Sequence, residues 1–89
     1  MADTKVLRVS SGTPVRSFAG CIVSYIEQNN DVEVHAIGAG AVNQMVKAFA
    51  IANGILATQG LELLFKTYFK DIEEDGKKSS AIVAKVVTR

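Results

Sequence analysis

Eighty-nine residues suit one domain and not two, and a chain of this length buries roughly 60–65% of its extended-chain surface, enough for one modest core without metal or disulfides. Hydrophobic residues make up 48% and charged residues 21%, a globular composition that leaves no disordered segment. Ten Lys and Arg against nine Asp and Glu give a net charge of +1. Any phosphate-binding surface must therefore come from how the basic residues are placed, not from their excess.

Lys5 to Ser10 reads as a short strand, with Leu7 and Val9 on one side and Val6 and Arg8 on the other. Ser10-Ser11-Gly12 is turn chemistry, and Thr13-Pro14 predicts a helix start in which Thr13 caps and Pro14 takes the first helical position. Val15, Phe18, Ala19, Ile22 and Ile26 then recur at helical spacing, with Arg16, Ser17, Ser24 and Glu27 opposite. Asn29-Asn30-Asp31 ends that helix. Val32, Val34 and Ala36 alternate with Glu33 and His35, the pattern of a second strand.

Gly38-Ala39-Gly40 leads into a second helix over about Ala41 to Ala57, with a core stripe of Val42, Met45, Val46, Phe49, Ala52 and Leu56. Leu61 to Asp71 alternates again, setting Leu61, Leu63, Phe65 and Phe69 against Glu62, Lys66, Tyr68 and Lys70. Asp75-Gly76 is a strong short hairpin signal, and a last strand follows from Ser80 to Thr88. The order β-α-β-α-β-β predicts an α/β two-layer sandwich. Its four-stranded mixed sheet carries two helices on one face and leaves the other face open.

Cys21 is the only cysteine and cannot form an intramolecular disulfide, which favours a reducing compartment. The stretch Met1 to Lys5 is polar, the next apolar stretch is broken at Arg8, and no signal peptide is visible. The longest apolar-rich stretch, Ala48 to Ala57, is far short of the roughly 20 residues a membrane helix needs. A cytoplasmic protein without a membrane partner is expected.

The segment Ala36-Ile37-Gly38-Ala39-Gly40-Ala41-Val42-Asn43-Gln44-Met45-Val46-Lys47-Ala48 resembles the stage V sporulation protein S family. Leu7-Arg8-Val9-Ser10, Pro14, Ala19-Gly20, Ala50-Ile51-Ala52 and Gly54 agree with it, so the resemblance covers nearly the whole chain. More distantly, the element order and long final hairpin resemble Alba, a dimeric chromatin and RNA-binding protein. The resemblance implies an Alba-like fold, a dimer, and a regulatory role in the development of spore-forming and related bacteria, with nucleic-acid binding inferred by analogy of fold. The chain departs from the family pattern at Asn53, where a basic residue is usual, and at Thr58, where a proline is. Alba's basic pair in the first strand-to-helix loop is replaced by Ser11-Gly12-Thr13, with Arg16 the nearest cation.

Two groups of residues are candidates for phosphate contact, to which Arg16, at the start of the first helix, would add another. Gly38 and Gly40 precede a helix whose free N–H groups could hold a phosphate; equally, they could simply permit a tight turn and close packing. The segment is no dinucleotide fingerprint, because Asn43 stands three residues after Gly40. Asn43 and Gln44, expected to point outward in the first turn, and Lys47 one turn on, point to polar contact. On the hairpin, Lys66, Tyr68 and Lys70 share a strand face, and Lys85 is expected to join them, a mixture that serves phosphate and base together or merely keeps an exposed face soluble.

The second helix is apolar on its back as well, where Ala48, Ile51 and Ile55 lie beside Gln44. Such a patch marks an interface, here a homodimer, or a helix sandwiched within its own domain, though a two-layer fold is expected to offer it no second partner. His35 has no cysteine or carboxylate cluster around it for a metal, Cys21, at the border of the first helix's apolar stripe, is expected to pack as a small hydrophobe, and no nucleophile–base pair is visible. A non-enzymatic, dimeric DNA- or RNA-binding protein without cofactor is expected; the alternative is a protein–protein adaptor with a regulatory partner.

Overall fold

In the structure, a computed structural model, residues 3–89 are described; Met1 and Ala2, where the polar leading stretch begins, and the side chain of Glu74 lie outside the described residues. The elements are β1 (Thr4–Val9), α1 (Val15–Glu27), β2 (Asp31–Ala36), α2 (Ala39–Ala57), β3 (Leu63–Glu74) and β4 (Lys77–Thr88). The sheet order is β1-β2-β4-β3. β1 and β2 run parallel, while β4 pairs antiparallel with both β2 and β3. The expected mixed sheet with one helical layer is present. β4 enters its middle, separating β2 from the strand that follows it in the chain.

Both helices end as their sequences dictate. Asn29 takes a left-handed φ of 63° and Asn30 N–H donates to Tyr25 O at 3.0 Å, closing α1. Gly60 at φ 75° does the same for α2, with Leu61 N–H on Leu56 O at 3.0 Å. The start of α1 differs from expectation. Pro14 is its N-cap and no side chain caps the helix. Thr13 Oγ1 instead accepts Ser10 N–H at 2.9 Å, and Thr13 N–H donates to Ser10 O at 3.1 Å. The hydroxyl closes the loop before the helix by accepting the turn's own amide.

The core lies between the helices and one sheet face. Ala19, Ile22 and Val23 of α1 meet Met45, Ala48, Phe49, Ala52 and Leu56 of α2 over Val32, Val34, Ala36 and Ala84. The Phe49 ring is buried 4.6 Å from that of Phe65. The stripe assigned to α2 needs correction at Val46, which is exposed, and at Ala48, which is fully buried. The helices lie side by side, tied at their starts by Gln44 Nε2–H on Thr13 O (2.9 Å) and at their ends by Gln59 Nε2–H on Glu27 Oε2 (2.8 Å). The row Gln44, Ala48, Ile51, Ile55 follows the line between those ties. α1 is the second partner that a two-layer sandwich was expected to deny that row.

The hairpin is longer than its sequence pattern suggests. Asp75 and Gly76 form a two-residue turn with φ 51° and 76°, so the ladder continues to Glu74 opposite Lys77. β2 pairs with β4 only from Val86 to Ile82, and the rest of the hairpin extends beyond it as a two-stranded ribbon. The radius of gyration is 13.1 Å, against about 12 Å for a compact chain of this length; the projecting ribbon accounts for the excess.

Candidate nucleic-acid interface

Register sets the open face of the sheet, opposite the helices. One row across the strands reads Val6, Glu33, Lys85, Lys66, and the next reads Arg8, His35, Val83, Tyr68. Lys70 lies opposite Ala81 one rung further. The structure thus brings Lys66, Tyr68, Lys70 and Lys85 together on one face. Lys66 and Lys85 stand directly opposite, where cross-strand Cβ atoms are about 5 Å apart and like charges destabilise the pair.

Tyr68 does not project freely. Its hydroxyl donates to Glu33 Oε1 at 3.1 Å, two strands away, and His35 Nε2–H donates to the same oxygen at 3.2 Å. The ring lies across β4, and Val83, flanked by Tyr68 and His35, is fully buried although no helix covers this face. The Lys85 ammonium sits 5.6 Å from the ring centroid, within cation–π range. Burial pushes the Glu33 carboxyl up, but hydrogen bonds from His35 and Tyr68, and the charges of His35 and Lys85, outweigh it and hold the group below its ordinary value. Desolvation, together with the hydrogen bond to Glu33 and its negative charge, pushes the Tyr68 phenol up.

The open face continues into a cleft of about 410 Å³ at the carboxyl ends of β1 and β2, lined by Arg8, Ser10, Ser11, His35, Gly38, Gly40 and residues beside them. Gly38 is the N-cap of α2 at φ 91°, a conformation that favours glycine. A Cβ on Gly40 would sit 2.8 Å from Ser11 Cβ. Each glycine therefore has a steric reason of its own. Their backbone nevertheless borders the same cleft as Arg8 and His35.

Asn43 and Lys47 lie elsewhere. At 100° per residue they fall on the side of α2 opposite Met45, Phe49 and Leu56, pointing away from the sheet. They share no surface with Lys66 and Lys85 within one chain. Arg16 is exposed in the first turn of α1. Among the residues expected at a dimer contact, Ala48 is fully buried, Ile51 is half-buried against the core, and Gln44 is bonded to Thr13; Ile55 is exposed. On the helix side of the sheet, an uncovered apolar strip runs along α2 and β3: Val46, Phe65 and, further along the strand, Phe69 at 76% exposure.

Glu33 and His35 escaped the sequence reading as interface residues, because their meeting with Tyr68 depends on β4 entering between β2 and β3. The alternation of β2 carried the only signal, placing both opposite the buried Val32 and Val34. Among the described residues, no group of three His, Cys, Asp or Glu side chains could hold a metal ion, and no helix is long and apolar enough to cross a membrane.

The sequence pattern of the stage V sporulation protein S family matches residues 5–89. The chain belongs to that family. Alba from Thermoplasma volcanium shares its fold, with a TM-score of 0.63 at 12% identity over 94% of this chain and 98% of that one. Membership in the stage V sporulation protein S family, with an Alba-like fold, fits a sporulation regulatory protein. The departures from the family pattern have local roles here. Asn53 Oδ1 accepts Leu63 N–H at 2.9 Å and anchors the start of β3, and Thr58, the C-cap of α2, donates its hydroxyl to Ile55 O at 2.7 Å.

Proposed function

We propose that this member of the stage V sporulation protein S family is a non-enzymatic regulatory protein that binds nucleic acid as a homodimer with little sequence preference. The observation that carries the reading is the pairing of Lys66 with Lys85 on the uncovered sheet face, beside Tyr68 and Lys70. Opposed lysines cost stability in the free chain, and a phosphate between them offsets that cost. Arg8 and the amides bordering the Gly38–Gly40 cleft extend the same surface to the sheet edge. Asn43 and Lys47 are outside it. The apolar strip Val46, Phe65, Phe69 is the dimer contact, because an uncovered patch of this kind beside a long edge strand otherwise invites aggregation.

Contacts to about six phosphates per dimer give a log–log salt slope of roughly −4 on a single strand. Raising salt from about 50 to about 200 mM then weakens binding on the order of a hundredfold or more. Fluorescence anisotropy with a labelled mixed-sequence oligonucleotide measures this. Absence of binding at the lower salt contradicts the reading and favours a protein–protein adaptor.

A further inference from the structure

The open face carries more apolar surface than phosphate contact requires. Val6 is 53% exposed and Val87 55%, and Leu64 and Tyr68 are also exposed. Register sets these residues among the lysines: Val6 is in the row of Glu33, Lys85 and Lys66, and Leu64 stands opposite Val87 one rung beyond. Val87 also borders a shallow cleft of about 250 Å³ on this face, lined by Thr4, Glu33, Lys66 and Lys85 among others. None of this surface is needed by the core, which lies on the other side of the sheet.

Resting on the proposed nucleic-acid binding, we infer that the ligand of this face is a single strand whose bases lie on the sheet, and not a duplex. A duplex turns phosphates outward and keeps its base faces stacked inside, so it offers a flat sheet nothing to set against Val6, Leu64, Val87 or the Tyr68 ring. A single strand offers both phosphates and open base faces. Tyr68 is prepared for the second. Its bond to Glu33 holds the ring along the sheet over Val83, so little rotamer freedom remains to be lost when a base stacks. Lys85 lies 5.6 Å from the ring centroid and opposite Lys66, placing phosphate-binding charge beside the stacking surface. A four-stranded sheet of this width accommodates two or three bases.

The chain contains no tryptophan and two tyrosines, so Tyr25→Phe leaves Tyr68 as the sole source of tyrosine emission. Stacking of a base on Tyr68 is expected to quench that emission as a mixed-sequence single strand is titrated in, with RNA and DNA strands run as separate arms. The single strand is expected to bind at least about tenfold tighter than its duplex, and Tyr68→Ala to lose about fivefold to a hundredfold of that affinity while Tyr68→Phe keeps most of it. If Tyr68→Ala does not fold, the quenching carries the test alone. Duplex binding as tight as single-strand binding, or a bound single strand that leaves the emission unchanged, overturns the inference while nucleic-acid binding stands. No binding of either form overturns both.

Discussion

The two faces of the sheet are built from the same strands, alternate residue by alternate residue, and do opposite work. Towards the helices, β2 presents Val32, Val34 and Ala36, all buried, and among the described residues no polar side chain is buried. Away from them, it presents Glu33 and His35, joined to Tyr68 through one carboxylate oxygen. The helical side is held by apolar burial, which offers no charge for salt to screen and no group to titrate. The open side is held by charge and hydrogen bonds, which offer both. A stable core on one side is what allows the other to keep opposed lysines and exposed valines.

The sharpest way to break the helical side is to empty its centre. Phe49→Ala removes the ring packed against Phe65 and is expected to cost about 3–5 kcal/mol by denaturant titration. Phe69→Glu separates that core from the surface strip next to it. Phe69 is largely exposed, so the folded chain is expected to keep its stability while sedimentation shows monomers in place of dimers.

The open side is broken by charge. Lys66→Gln is expected to reduce the salt slope by about one unit per protomer, whereas Lys47→Gln, on the outward side of α2, leaves both affinity and slope unchanged. Anisotropy titrations at several salt concentrations read both. Equal effects from the two substitutions would mean that the basic residues act as a diffuse cloud and the faces do not differ.

Acid sharpens the comparison with a smaller effect. The folded chain holds Glu33 below the ordinary carboxylate value of 4.5, so the unfolded chain binds its proton more readily. The resulting stability is present above that value and is lost as pH falls through the folded one. Glu33→Gln is expected to remove this part of the acid loss, flattening thermal midpoint against pH below about 4.5, with the core unaffected.

Element types were legible because they rest on local pattern. The period-two alternation of Val32 to Ala36, the helical spacing of Val15 to Ile26, the helix end at Asn29 and the Asp75-Gly76 turn each act within a few residues. What depended on distant pairing was not. The joining of Tyr68 to Glu33 spans 35 residues and needs β4 between them. The sides of α2 were misassigned at Val46 and Ala48 because the helix is apolar nearly all round, and periodicity cannot rank faces that all look alike. Thr13 shows a third limit. A hydroxyl before a helix can bond to either side, and here it takes the Ser10 amide. Likewise, Lys66 and Lys47 were equally plausible contacts until the layers separated them.

The central claim is that the open sheet face, and not the outward side of α2, takes the nucleic acid. Amide chemical-shift mapping on the intact chain with a short mixed-sequence single strand tests it residue by residue. The account predicts the largest changes at Arg8, Glu33, Lys66, Tyr68 and Lys85, and none at Asn43, Lys47, Ala50 and Gly54. Changes concentrated on that second set, with the sheet amides still, would contradict it.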